Sequence, residues 1–134
     1  MARWLVKTEP DEYSFEDLQR AGRDRWDGVR NAVAHKHIQA MRPGDEVLVY
    51  HTGKVKAVVG LARVVSDPYP DPHADGAKWF VVDLEAVRPL ARPVSLAAIK
   101  ADPAFASWEL VRISRLSVMP VPDAFWERIM AMAG

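Results

Sequence analysis

The chain has 134 residues, a mass of 15.0 kDa, a formal net charge of zero and no cysteine. This length suits one domain, which we predict to span residues 1–134, and 49% hydrophobic with 27% charged residues is the balance of a globular fold rather than of a disordered chain. The lack of cysteine excludes disulfides, thiolate metal sites and a cysteine nucleophile.

The chain begins with an apolar stretch too short for a signal peptide or a membrane span. We therefore expect a cytoplasmic protein without a membrane partner, and we expect a monomer. Zero net charge also bears on partners, because domains that grip nucleic acid through phosphates are usually strongly basic. A nucleic-acid role would have to depend on a local basic patch or on contacts to bases.

The first third of the chain alternates strand and helix signals. Residues 3–8 alternate in polarity and are rich in large apolar side chains, which predicts a strand. Ser14 and Asp17 have the spacing of a capping box, so a helix is expected from there to Gly22. Residues 26–28 indicate a turn. A second helix is predicted over residues 31–41, with Asn31 as its N-cap.

The rest of the chain is predicted to be richer in strands. Gly60 stands inside one of them, which indicates a bulge or a close approach of the backbone. The predicted strands are residues 46–50, 57–65, 78–87 and 115–118, and the predicted helices are residues 95–100 and 123–132. Many strands with few, short helices predict an α+β domain built on a small, partly closed mixed sheet, a β-barrel of five or six strands with flanking helices.

Trp26 is the aromatic residue whose context differs most from that of a core residue. It is one of five tryptophans, and it lies in a run of charged residues beside Gly28 rather than on an apolar stripe. A core position remains the alternative for any tryptophan. In a loop, however, an indole is suited to be a wall against which a flat ligand stacks.

Two further segments carry candidate binding groups. Asn31 at a helix start either caps the helix or offers its amide, with the free N–H groups there, to a ligand. Arg30 is placed to hold an internal carboxylate or a phosphate. Tyr50 and His51 end a strand, where binding groups on a rigid scaffold are often found, although a structural role is open for both.

The sequence gives little support to metal binding or catalysis. His35 and His37 are two residues apart and would fall on different faces of a helix, so they do not form a metal-binding pair. No glycine-rich phosphate loop, Gly-x-Ser-x-Gly or His-Glu-x-x-His motif is present. We therefore predict a protein that is not an enzyme and has no cofactor.

Taken in order, many short segments resemble the EVE domain family. They cover nearly the whole chain, and their order is more specific than any one of them. The segments are residues 4–10, 13–18, 26–31, 41–45, 50–52, 59–62, 68–72, 93–96, 99–100 and 115–118. Thr8 and Thr52 stand where serine is common in that family.

The resemblance implies a PUA-like fold, related to the YTH readers of methylated adenine. It also implies a non-enzymatic module that binds nucleic acid and accepts an extruded, modified base, for instance a methylated or hydroxymethylated one. Two alternatives remain open at this point: a PUA-like RNA-binding module in tRNA or rRNA metabolism that reads no modification, and a small-molecule binding domain.

The resemblance also implies roles for ten residues around one pocket. Trp26 would be the stacking wall. Polar contacts would come from the end of the first strand, the pocket would be closed by the end of a second strand, and the last strand would reach the base edge or a phosphate. The implied ligand-binding residues are Lys7, Thr8, Trp26, Val29, Arg30, Asn31, Tyr50, His51, Arg115 and Ser117. A basic rim is expected from Lys7, Arg25, Arg30, Lys36, Arg112 and Arg115.

Overall fold

The computed structural model describes residues 1–72 and 79–134. Its strands are β1 (Arg3–Thr8), β2 (Arg23–Trp26), β3 (Glu46–His51), β4 (Ala57–Val64), β5 (Tyr69–Pro70), β6 (Phe80–Ser95) and β7 (Val118–Pro120). Its helices are α1 (Phe15–Ala21), α2 (Ala32–Ala40), α3 (Leu96–Ala101), α4 (Glu109–Arg112) and α5 (Asp123–Ala133), with a 3-10 turn at Pro103–Phe105.

The strands form one mixed sheet. Its order is β2-β6-β4-β3-β1-β7, with the two-residue β5 paired to β6 beside that path. β1 and β3 run parallel, and every other pairing is antiparallel. The predicted α+β mixed sheet is confirmed, with seven strands instead of five or six because β2 and β5 were not predicted.

The core lies between this sheet and the helices packed on it. β3 is the most deeply covered strand, since every residue from Val47 to His51 is buried. Helices α1, α2 and α5 pack on the long strand β6, and α2 also reaches β7. No helix in the described part of the chain is long and apolar enough to cross a bilayer.

Both N-terminal helices begin where their capping residues predict. The Ser14 hydroxyl accepts from the Asp17 N–H at 3.1 Å, and the Asp17 carboxylate accepts from the Ser14 N–H at 2.8 Å, which completes a capping box. Asn31 caps α2 by accepting from the N–H groups of Val33 and Ala34. These bonds satisfy amides that a helix start leaves without partners.

Gly60 shows both features predicted for it. The β3–β4 register shifts between Val49 and Tyr50, and the β4–β6 register shifts between Val58 and Gly60. A Cβ on Gly60 would lie 2.5 Å from ring atoms of Phe15. The missing side chain therefore lets the first residue of α1 pack directly on the β4 backbone.

Two strand boundaries differ from the prediction. β6 runs from Phe80 to Ser95, well past the predicted end at residue 87, while Lys78 lies outside the described residues. The predicted last strand over residues 115–118 is wrong in position, because β7 begins at Val118. Ser114 and Arg115 instead form a turn, and residues 116–117 connect it to β7.

A cavity between the two ends of the sheet

A cavity of about 290 Å³ opens where the two ends of the sheet approach each other. One wall comes from β2 and the loop that follows it, and the other from the end of β1 and the residue before β7. The lining residues are Lys7, Thr8, Tyr13, Asp24, Arg25, Trp26, Asp27, Gly28, Val29 and Ser117. The volume is close to the roughly 300 Å³ lower end of small-molecule sites, so it suits a single flat heterocycle.

The apolar part of the lining is formed by Trp26, Tyr13 and Val29. Trp26 is 7% exposed and belongs to the buried core, yet it lines the cavity. The Tyr13 ring meets it edge to face, with centroids 6.2 Å apart. This arrangement is a favourable geometry for two aromatic rings, and each ring holds the other in place.

A short hydrogen-bond chain fixes the polar groups beside these rings. The Tyr13 hydroxyl donates to Asp24 Oδ2 at 2.5 Å, and the Thr8 hydroxyl donates to the Tyr13 carbonyl at 2.6 Å. Burial and the bond to Asp24 raise the pKa of the Tyr13 phenol well above its ordinary value. The phenol therefore stays protonated at neutral pH and donates that proton in a hydrogen bond to the Asp24 carboxylate.

Two cations reach the cavity from opposite walls. Lys7 Nζ donates to the Ser114 carbonyl at 3.0 Å and lies 5.6 Å from the centroid of the Tyr50 ring. Burial lowers the Lys7 pKa. Arg25 Nε donates to the Tyr69 hydroxyl at 3.4 Å. Since Asp24 and Asp27 also line the cavity, positive and negative groups meet there.

The loop after β2 contains two lining residues whose main-chain donors are unbonded. Within residues 1–72 and 79–134, the N–H groups of Gly28 and Val29 have no hydrogen-bond acceptor. Gly28 has a φ of 78°, a backbone conformation that residues with a Cβ rarely adopt. The turn predicted at residues 26–28 is not formed there: Trp26 ends β2, and residues 27–30 follow as an irregular loop that borders the cavity.

The structure brings five of the ten predicted ligand-binding residues together at this cavity. They come from β1, from the end of β2 and its loop, and from the residue directly before β7. The five are Lys7, Thr8, Trp26, Val29 and Ser117. The other five do not line it.

Three of the residues outside the lining make contacts within the protein. Asn31 is the N-cap of α2. Arg30 forms an ion pair with the Asp71 carboxylate at 3.4 Å and lies over the Trp79 ring. Of the two roles considered for this arginine, the structure therefore has the contact to an internal carboxylate. His51 Nε2 accepts from the Phe15 N–H at 3.0 Å, so the strand end is tied to the start of α1.

The remaining two residues lie close to groups that do line the cavity. Tyr50 is 3% exposed and pairs with Lys7 across the parallel β1–β3 ladder, and its ring contacts the lysine ammonium group. Arg115 is exposed in the turn two residues before Ser117. Of the expected basic rim, Lys7 and Arg25 line the cavity.

Sequence reasoning missed four lining residues: Tyr13, Asp24, Asp27 and Gly28. Three of them lie within two residues of Trp26. A signal was present there, since charged residues on both sides of a candidate stacking tryptophan are candidates for the same pocket. Tyr13 carried no signal of that kind, because only the packing of α1 against β2 brings it to Trp26.

Comparison with known proteins gives a consistent family match. The model of the EVE domain matches residues 2–132. Thymocyte nuclear protein 1 of Rattus norvegicus is 32% identical, in a match that covers 96% of this chain and 72% of the rat protein. The protein of the same name from Homo sapiens is 34% identical over 74% of this chain and 56% of the human protein.

Solved structures share the fold over nearly the whole chain. A Rhodopseudomonas palustris protein solved by NMR is 42% identical, with a TM-score of 0.94 over 100% of this chain and 94% of that chain. Human THYN1 in complex with 5-methylcytosine containing DNA is 28% identical, with a TM-score of 0.91 over 99% of this chain and 98% of that chain.

A more distant structure has the same general architecture. The ASCH protein of Zymomonas mobilis has a TM-score of 0.58 at 12% identity, over 98% of this chain and 95% of that chain. At that identity the likeness concerns the fold alone. With the human THYN1 structure, it confirms the predicted PUA-like α+β fold.

Proposed function

This chain belongs to the EVE domain family, and from that premise we propose that it is a nucleic-acid-binding module that accepts a modified base in the cavity beside Trp26. A relative supports the proposal: human THYN1, similar over 99% of this chain, has been solved with DNA that contains 5-methylcytosine. Membership of the family also favours a binding module over an enzyme.

The observation that carries the proposal is the make-up of the cavity. A space of about 290 Å³ combines an indole, a phenol and a ring of hydrogen-bonding groups. Taking a base out of its stack costs a few kcal/mol. Stacking on an aromatic side chain returns about 1–3 kcal/mol per base, and hydrogen bonds to the base edge supply the rest along with selectivity.

The proposed contacts follow the lining. Trp26, supported by Tyr13, stacks on the base, and Val29 provides apolar surface for a substituent such as a methyl group. Lys7, Thr8 and Ser117 offer polar contacts to the base edge. Arg115, exposed in the neighbouring turn, contacts a phosphate. The internal bonds of Asn31, Arg30 and His51 favour supporting roles for these three side chains.

A net charge of zero agrees with a module that binds mainly through the base and makes few phosphate contacts. A module that relied on phosphates would need a broad basic surface, whereas one that holds a base in a cavity needs only a few cations nearby. A monomeric, cytoplasmic protein remains our prediction for its state and location.

The direct test is capture of nucleic acid digested to short fragments, followed by mass spectrometry of the bound nucleosides. We expect one modified nucleoside to be enriched over its parent. Fluorescence anisotropy with oligonucleotides that differ at one position, cytosine against 5-methylcytosine, then measures the selectivity. Equal affinity for modified and plain strands across the enriched set would contradict modified-base reading and favour a plain RNA- or DNA-binding module.

A further inference from the structure

We propose that the cavity selects bases that carry an exocyclic amino group, and that the Tyr13–Asp24 pair, assisted by Thr8, is the element that reads it. This inference rests on the proposed function and names its class of ligand. It depends on counting which cavity groups still have a proton to give and which can only accept.

The two hydroxyls on this side of the cavity have already used their protons. Tyr13 donates its one hydroxyl proton to Asp24 Oδ2 at 2.5 Å, and Thr8 donates its own to the Tyr13 carbonyl at 2.6 Å. A hydroxyl has one donor and two acceptor lone pairs. Toward a ligand, therefore, both oxygens act only as acceptors.

Asp24 strengthens this acceptor character and is held in one orientation. Its Oδ2 takes the Tyr13 proton, and its Oδ1 accepts from the Arg25 N–H at 2.8 Å. Each carboxylate oxygen accepts more than one hydrogen bond, so lone pairs remain on both. Asp27, also in the lining, adds a second carboxylate on the same wall.

Donors line both walls of the cavity. Lys7 lies on the β1 wall and has protons beyond the one it gives to a main-chain carbonyl. Arg25 lies on the β2 wall, where the N–H groups of Gly28 and Val29 also have no acceptor in the described residues. The fixed acceptors named above therefore form an acceptor cluster with donors around it. An amino group with acceptors beside it on the base edge matches this arrangement.

Cytosine and adenine derivatives have such an edge, because their exocyclic amino group brings two protons to one point beside ring acceptors. Their keto counterparts keep only a single ring N–H as donor, and thymine and uracil present a carbonyl oxygen in place of the amino group. That oxygen would face the lone pairs of Tyr13, Thr8 and Asp24. A buried site built to bond an amino group discriminates strongly against an analogue that lacks it.

The test compares matched pairs of bases in one oligonucleotide. 5-Methylcytosine against thymine replaces the amino group by a keto oxygen and the neighbouring ring acceptor by a ring N–H, and it keeps the 5-methyl; adenine against hypoxanthine makes the same change on a purine. In the pair whose members bind, anisotropy should show that the amino base binds about 5- to 150-fold more tightly than the keto base, which is the range of one good base-edge contact.

Two variants connect the preference to the pair. Tyr13→Phe keeps the ring and removes the oxygen, and Asp24→Asn adds a donor to the acceptor cluster; in both, the amino-to-keto ratio should fall towards one. Asp102→Asn is the matched control, because the Asp102 carboxylate also accepts from a side-chain donor, that of Arg128, and from a main-chain N–H but does not line the cavity. Its ratio should equal that of the wild type, and thermal melting confirms that each variant is folded.

The outcomes separate this inference from the proposed function. If both members of each pair bind equally, or the keto member binds more tightly, while modified bases are still preferred over plain ones, amino selection is overturned and base reading stands. An unchanged ratio in both folded variants overturns the role of the Tyr13–Asp24 pair. If no modified base is preferred, the proposed function fails and this inference fails with it.

Discussion

The phenol of Tyr13 meets the indole of Trp26 edge to face, with the ring planes at 78° and the centroids 6.2 Å apart. Tyr13 precedes α1, and Trp26 ends β2, the strand at one end of the sheet. The contact therefore anchors the free edge of the sheet to the helix layer. It also places two aromatic side chains and the carboxylate of Asp24 on the same side of the cavity.

Replacing Trp26 tests the stacking wall. We expect Trp26→Leu to weaken binding of a modified-base oligonucleotide by a factor of about 5 to 150, the equivalent of 1–3 kcal/mol of lost stacking per base. Trp26→Phe should retain much of the affinity because a ring remains. Anisotropy titrations of both variants provide the measurement.

A second tryptophan controls for damage to the core. Trp108 is 1% exposed, belongs to the core and does not line the cavity. Trp108→Leu should lower the free energy of unfolding as a large-to-small core change does, with ligand affinity unchanged in the folded protein. Equal affinity losses at the two positions would mean that Trp26 acts through the fold and not by stacking.

Local signals predicted much of this fold. The alternation of β1, the capping box at Ser14 and the N-cap Asn31 are properties of a few neighbouring residues, and they held. β2 was missed because Arg23, Asp24 and Arg25 have no apolar alternation. This strand forms through its partner: across the β2–β6 ladder, Arg23 faces Glu85 and Arg25 faces Asp83. Opposite charges in such pairs stabilise a polar strand.

Of the predicted residues that line the cavity, Trp26 is the one that its own surroundings pointed to, because it lies in a charged run. The placement of Lys7, Thr8, Val29 and Ser117 was implied by the resemblance to the EVE domain family. Tyr13 and Asp24 are eleven residues apart and meet only after α1 folds against β2. Conversely, Tyr50 and His51 end a strand as expected, but the cavity opens along β1 and β2 instead.

Asn31 provides a test that separates capping from ligand contact. Its side chain accepts from two N–H groups at the start of α2, at 3.0 and 3.1 Å. Asn31→Ala should lower the free energy of unfolding by about 0.5–2 kcal/mol, while Asn31→Asp, which retains an acceptor, should cost much less. Urea denaturation measures both. A drop in ligand affinity for Asn31→Ala, with the fold intact, would assign this residue to the ligand instead.

Gly60 is expected to tolerate no side chain while Phe15 is present. A Cβ there would lie 2.5 Å from the Phe15 ring, so Gly60→Ala should destabilise the fold by about 1–3 kcal/mol, as overpacking does. In a Phe15→Leu background the smaller side chain relieves part of the clash, so the same change should cost less. A double-mutant cycle in urea gives this difference, and an unchanged cost in the two backgrounds would show that the ring is not the obstacle.

Stability should fall in mildly acidic solution because of three histidines. Burial is the largest cause that lowers the pKa of His35, His37 and His51, and in His51 the nearby Glu16 and Glu9 only partly oppose it. Above about pH 6.5, the pKa of an unfolded histidine, both states are neutral and stability is complete. As the pH falls below that value, the unfolded chain takes up protons before the folded one, so folding becomes less favourable.

His51 allows this pH effect to be assigned to one residue. Its Nε2 accepts from the Phe15 N–H, a bond that a protonated ring loses. His51→Gln removes the titration, so the decrease in unfolding free energy between pH 7.5 and 5.5 should be smaller than in the wild type, by at most about 1.4 kcal/mol per pH unit. An identical pH profile in wild type and variant would place the effect in the other two histidines.

Salt dependence tests how the affinity is divided between base and phosphates. With no net charge and few cations near the cavity, we expect two to four phosphate contacts, hence a slope of log affinity against log salt of about −2 to −4 on duplex DNA. Arg115→Ala should make the slope less steep by about one. Lys100→Ala removes another exposed charge, on α3 and outside the cavity lining, and should leave the slope unchanged. Slopes that are equal for both variants and the wild type would show that Arg115 contacts no phosphate.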